Sequence, residues 1–242
     1  MGKTAAILII GNEILSGKIT DENAAYLSRE LRSLGVDVQR IAVVPDEESA
    51  IAEEVATCSR RYDWLFTTGG VGPTHDDVTI AGIARGLGRK VVRDPQLEAI
   101  IKKEYGPSVN EASLKLAEVP EGAELLMADG LHFPIVTIAN IYIFPGIPRA
   151  TRRKFTAIKA LFQDTPFFIK KVYLKEREEE IAHDLHAILK SFPHLLLGSY
   201  PVTDRTDYHV ILTLESKDAA YLESAFRKLL ELIPKDKIVK TE

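Results

Sequence analysis

The sequence predicts an α/β protein, a doubly wound and mostly parallel sheet followed by a small α+β module. Three observations lead there. Apolar runs of strand length alternate with helical patterns in the first part of the chain, as AAILII, ENAAYLSRELRSLG and VDVQRIAVV do in succession. Several of these runs are apolar almost throughout, as a sheet covered on both faces requires. After Gln163-Asp-Thr-Pro the rhythm changes to βαββαβ, the order of a ferredoxin-like module. The boundary falls near Asp164, which gives segments 1–164 and 165–242.

Taken in order, residues 5–10 form a strand, and a helix capped by Thr20 or Asp21 runs to Gly35. A strand over 36–44, a helix over 47–60 and a strand over 63–68 follow, and the next helix starts at Asp76 or Asp77 and reaches about Leu87. Residues 94–110 read as helix, and 111–130 as a helical turn within a turn-rich passage. HFPIVTI and NIYIF are strands, and a helix from Arg149 to about Leu161 closes the large segment. In the tail, FFIKKVYL, HLLLGSYPV, DYHVILTL and KIVKT are strands, and EREEEIAHDLHAILKSF and DAAYLESAFRKLLELI are helices.

Composition narrows the function classes. With 242 residues and 45% hydrophobic content, the chain can bury a core without disulfides. Its one cysteine, Cys58, shares a helical stripe with Ile51 and Val55 and reads as a buried structural thiol rather than a nucleophile. No apolar stretch approaches the roughly 20 residues that span a bilayer, and the N-terminus leads directly into a strand, so a soluble, cytoplasmic protein without a membrane partner is expected. A net charge of -4 with both signs mixed gives no long-range attraction for nucleic acid. Small ligands are the expected partners. A sheet edge and a small second module point to a homo-oligomer, a dimer or trimer.

The stretch TTGGVGPTHDDVT, residues 67–79, concentrates the chemistry. It lies at a strand's carboxyl end, where open α/β sheets bind ligands. Gly69, Gly70 and Gly72 let the main chain approach an anion, and the following helix end favours phosphate. Asp76 and Asp77 repel phosphate unless a cation lies between, a role that magnesium usually fills. The alternative is a sharp loop in which an aspartate caps the helix and Thr74 supports the turn. Three further segments share this rim: GNEILSGKITDEN with Asn12 and Glu13, Asp46 after the second strand, and FPGIPRATRRK with Arg149, Arg152, Arg153 and Lys154. Those cations oppose the dipole of the helix they begin, so they serve either an anionic ligand or a solvated face.

Taken as an ordered set, GNEIL, VPD at Val44 to Asp46, TTGGVGPTHDDVT and PGIP resemble the molybdopterin-binding-like domain. That domain is shared by the competence/damage-inducible protein (CinA) family and the N-terminal part of eukaryotic-type FAD synthases. FPIVTIANIYIFPGIP and LGSYPVTDRTDYHVILTLES look more like the FAD synthase branch. The resemblance implies a three-layer α/β fold and divalent-metal-dependent cleavage of the pyrophosphate in FAD or ADP-ribose. It carries the glycine-rich motif to Thr68, Gly69, Gly70, Gly72, Thr74, Asp76, Asp77 and Thr79, with the aspartate before Val-Thr, Asp77, foremost. It carries GNE to Gly11, Asn12 and Glu13, VPD to Asp46, and PGIP to Gly146 and Pro148. The chain ends at Glu242 without the separate synthase or amidase domain of those proteins, so adenylyl transfer to make FAD is not expected. ADGLHFPIV replaces the glycine-rich passage of the competence branch, which leaves adenine against flavin specificity open.

The expected site therefore holds one or two ions, magnesium, manganese or cobalt, on Asp77 with Asp76 or Asp46 assisting, and Glu13 orients water or takes its proton. The rival reading is a non-catalytic module that binds molybdopterin or a nucleotide. RNA binding by the tail is disfavoured, because DYHVILTL lacks the aromatic signature. His183 and His186 flank an apolar stripe without a third metal ligand spaced with them, His75 belongs to the loop, and Trp64 reads as packing.

Overall fold

The computed structural model describes residues 2–242. The first strand, β1 (Thr4–Ile10), buries six consecutive residues. A strand with no polar face has to lie between two layers. A single turn, α1 (Asn12–Leu15), leads to α2 (Asn23–Ser33). The Asp21 carboxylate accepts the first amides of α2, from Asn23 and Ala24, at 3.1 and 2.9 Å. Of the two candidate caps, Asp21 thus fills the role. The βα alternation continues through β2 (Asp37–Val44), α3 (Glu48–Arg61), β3 (Trp64–Thr68) and α4 (Thr79–Gly86). There follow β4 (Val91–Arg93), α5 (Pro95–Tyr105), α6 (Glu111–Lys115), β5 (Glu118–Pro120), β6 (Glu124–Leu126), β7 (Ile135–Ile138), β8 (Ile141–Phe144) and α7 (Pro148–Ile158).

The main sheet has the order β2-β1-β3-β8-β7-β6. Its first four strands are parallel, and β7 and β6 are antiparallel additions. Alternate residues of β1 feed two cores. Ile7 and Ile9 pack with Leu27, Phe66 and Phe155, while Leu8 and Ile10 pack with Ile51, Val55 and Ile83. Helices α2 and α7 therefore cover one face and α3 and α4 the other. This is the three-layer, mostly parallel α/β architecture expected from the sequence.

Three details correct the sequence reading. Helix α4 begins at Thr79, not at Asp76 or Asp77, because both carboxylates fold back onto Thr74. The stretch 94–110 is helical only to Tyr105, where Gly106 at φ +52° breaks the helix into a 3-10 turn. The passage 111–130 contains β5 and β6, and β5 pairs with β4 in a separate two-stranded sheet.

Cys58 is buried on α3 beside Ile51 and Val55. Burial, reinforced by the Glu54 carboxylate, pushes its thiol up to about 11. The thiolate is the reactive form. A thiol reagent at pH 7 is therefore expected to spare Cys58 in the folded protein and modify it after unfolding in urea; rapid labelling of the native state would contradict this burial. Trp64 packs edge-on against Phe162, with ring centroids 5.4 Å apart.

The chain divides into two compact units, residues up to Asp164 and Thr165–Glu242. The second consists of β9 (Phe168–Leu174), α8 (Glu178–Ser191), β10 (Leu196–Pro201), β11 (Val210–Ser216), α9 (Ala219–Leu232) and β12 (Ile238–Thr241). Its antiparallel sheet has the order β10-β11-β9-β12. Val210, Leu212 and Leu214, alternate residues of β11, pack with Ile181 and Ile188 of α8 and Leu222 and Leu229 of α9. His186 contacts the Ala182 carbonyl within its own helix at 2.7 Å. No helix among the described residues is long and apolar enough to cross a membrane.

Candidate functional site

The carboxyl ends of β1, β3 and β8 are neighbours in the sheet, so the loops at Gly11, Gly69 and Pro145 leave one edge together. The glycine-rich loop is pinned beneath. Gly69 takes φ +103°, and a Cβ there would lie 2.0 Å from the Ile10 carbonyl oxygen. Its amide donates to the Phe144 carbonyl at 3.3 Å, while the buried Thr79 hydroxyl donates to the Gly69 carbonyl at 2.8 Å. The Thr79 amide reaches the Gly70 carbonyl at 3.0 Å. Thr79 thus holds the loop from below. Above it, the amides of Gly70, Val71 and Gly72 donate to no protein group among the described residues.

Thr74, Asp76 and Asp77 form a tight turn. The Asp77 carboxylate accepts the Thr74 amide at 2.8 Å, and the Thr74 hydroxyl lies 2.6 Å from Asp76 Oδ1 and 2.5 Å from Asp77 Oδ2. A hydroxyl has one proton to give. Two carboxylates therefore converge on a single hydroxyl. The Thr74 hydroxyl bond holds the Asp76 carboxyl below the usual carboxylate range, helped by the Asp76 main-chain amide and by the charge of Lys115. Lys115 Nζ itself donates to the Thr74 carbonyl. His75 is almost fully exposed.

Asp77 is expected to hold the ion with Asp76 or Asp46 assisting, and the structure brings Asp76 and Asp77 together at Thr74. Among the described residues, no group of three His, Cys, Asp or Glu side chains is placed to hold a metal ion. Asp46 Oδ2 accepts the Asn12 amide at 2.7 Å. Asp76 and Asp77 remain a pair. Glu13 folds its carboxylate back over Gly11, where a Cβ would lie 2.5 Å from Glu13 Oε1.

Two cavities open on this edge. One, of about 550 Å³, is walled by Leu97, Tyr105, Phe133 and Val136, with Lys115 and Lys154 among its polar groups. The other, of about 520 Å³, is bordered by Glu13, Asp21, Asn23, Thr68, Gly69, Gly146 and Pro148. Both cavities share the wall of Gly70, Val71, Gly72, Asp77 and Pro145. Of the expected site residues, Gly11, Asn12, Asp46, Thr74, Asp76 and Thr79 border neither. Thr74 and Thr79 instead shape the loop.

Two groups escaped the sequence reading. Asn23, 4% exposed, donates from Nδ2 to the Gly146 carbonyl at 2.8 Å and lies 3.4 Å from the Thr68 hydroxyl, so it ties the PGIP turn to β3. Its Oδ1 has no partner among the described residues. Lys154 stood out only as one member of a basic run. Burial pushes its ammonium down to about 8, and Nζ donates to the carbonyls of Phe133 at 3.2 Å and Pro134 at 2.5 Å. Arg152, two residues earlier, pairs instead with Glu22 at 2.7 Å.

This geometry has counterparts. Residues 6–163 match the family described as probable molybdopterin binding domain, and residues 166–242 match the middle domain of FAD synthase. A protein of Archaeoglobus fulgidus is 34% identical over 228 residues, covering 94% of this chain and 96% of its own length. A probable FAD synthase of Caenorhabditis briggsae is 32% identical over 259 residues, covering 96% of this chain but only 50% of the synthase, so the chain spans half of that relative. In the solved structure of CinA from Thermoplasma acidophilum, whose function is described as unknown, 98% of the chain superposes on 66% of this one with a TM-score of 0.61 and 30% identity. The chain therefore belongs to the probable molybdopterin binding domain family, and carries after that domain a segment that matches the FAD synthase middle domain.

Proposed function

We propose that the chain hydrolyses the pyrophosphate bond of an adenine dinucleotide such as FAD or ADP-ribose, with a divalent ion as cofactor. One observation carries this reading: the wall of Gly70, Gly72 and Asp77 is common to two cavities. A ligand with one half in each cavity lays its linking phosphates against that wall. Its similarity to nematode proteins named probable FAD synthase adds a nucleotide to the expectation.

The residues suit a hard cation, because Asp76 and Asp77 crowd one hydroxyl and a phosphate oxygen would add to their charge. When bound, magnesium, manganese or cobalt would offset phosphate charge and make water a stronger nucleophile. The chain's own groups do the rest. The amides of Gly70, Val71 and Gly72 donate to the phosphoryl oxygens, where charge grows as the bond breaks. Glu13, which borders the same cavity as Asp77, orients the attacking water and accepts its proton. The water oxygen bonds to one phosphorus as the bridging P–O bond breaks, leaving two monophosphates.

The test is a hydrolysis screen of FAD, ADP-ribose, NAD and diadenosine compounds with each of the three metals. Metal-dependent release of AMP, with one compound clearly preferred, is the expected result. Silence across the panel would overturn the proposal in favour of a module that binds a pterin or nucleotide without cleaving it.

A further inference from the structure

Beside the first cavity lies a smaller one of about 320 Å³, between α7 and the segment 131–133. His132, Arg149, Arg153 and Lys154 line it, and no carboxylate does. None of these four makes an ion pair among the described residues. Arg153 donates to the Gly130 carbonyl and Lys154 to those of Phe133 and Pro134, so their polar contacts there are neutral main-chain groups. Arg149 stands in the first turn of α7, where the helix dipole opposes a cation. Holding several like charges together without an acid costs free energy that a bound anion would offset. Burial alone lowers Lys154, a separate desolvation cost that a bound anion would also offset. Phe133 and Lys154 border both this cavity and the first.

We infer that this basic cavity is a phosphomonoester subsite, and that it receives an extra phosphate carried by a nucleotide whose nearer half fills the first cavity. The nucleotide rests on the reading above, whereas the phosphate does not. Forked guanidinium groups suit a phosphate dianion, which two arginines and a lysine can surround. Ligands that bear a second, terminal phosphate on a ribose are therefore the favoured class, ahead of the same dinucleotide without it.

Two measurements on the whole chain test this. In the first, lysine acylation is followed residue by residue by mass spectrometry, with inorganic phosphate or with chloride at equal ionic strength. Phosphate should slow labelling of Lys154 severalfold where chloride does not; equal labelling would overturn the subsite. In the second, calorimetry with manganese present compares ADP-ribose with 2′-phospho-ADP-ribose, each as the analogue whose bridging pyrophosphate oxygen is replaced by methylene and which is therefore not cleaved. The phosphorylated ligand should bind about tenfold or more tightly, and the R149Q/R153Q variant should lose that difference. Equal affinities in the wild type, or a difference that survives the double substitution, would overturn the inference. If neither nucleotide binds while phosphate still protects Lys154, the phosphate site stands and the dinucleotide reading falls.

Discussion

Replacing Asp77 by asparagine is expected to lower turnover of FAD or ADP-ribose by about 100-fold or more while leaving the fold intact. Asp77 borders both cavities, and its carboxylate shares the Thr74 hydroxyl with Asp76. Asparagine keeps an oxygen that can accept the Thr74 amide, so the loss of stability should be about 1 kcal/mol. What disappears is the negative charge. Turnover at saturating metal, measured beside the urea midpoint, separates the two effects. Unchanged turnover would remove Asp77 from the chemistry. Asp46→Asn provides the contrast, because that carboxylate is occupied by the Asn12 amide and a much smaller fall is expected.

The second large effect is structural. Gly69→Ala should destabilise the protein by on the order of 3 kcal/mol or more, a substantial part of a typical domain's stability. Two causes act together: a φ of +103° that side chains rarely adopt, and a Cβ 2.0 Å from the Ile10 carbonyl oxygen. Neither backbone can give way, because Ile10 ends β1 and Gly69 directly follows β3, and both are buried. Gly72 differs. A Cβ there would meet Asp77 Oδ2 at 2.6 Å, the far end of a side chain that can move. Gly72→Ala is thus expected to keep the fold and disturb the shared wall. Urea unfolding of the two variants decides this, and a Gly69→Ala protein as stable as the wild type would contradict the close packing of the loop on β1.

Much of this architecture is legible in the sequence, for physical reasons. Strand β1 has no polar residue after Thr4, and its burial on both sides is the only way to satisfy that pattern. In β11 every second residue is buried, so period-two alternation reveals it. Strands β4, β5 and β6 have three residues each, too few for any period to register. The start of α4 misleads because aspartate caps helices and closes turns by the same carboxylate chemistry. Only the contacts of Asp76 and Asp77 with Thr74 distinguish the two. At the site, the glycines announce a close main-chain approach, yet Gly69 is required by the Ile10 carbonyl beneath it whether or not a ligand sits above. The basic run 149–154 divides by helical geometry. Arg152 turns to Glu22, and Lys154 to a segment whose path the sequence does not state.

The measurement that reaches the proposal most directly is product analysis of FAD incubated with the wild-type protein and manganese, before and after chelation. Hydrolysis at the wall of Gly70, Gly72 and Asp77 predicts AMP and FMN in equal amounts, and neither once the ion is removed. FAD recovered intact with manganese, magnesium and cobalt alike, or cleaved as fast with chelator present, would contradict it.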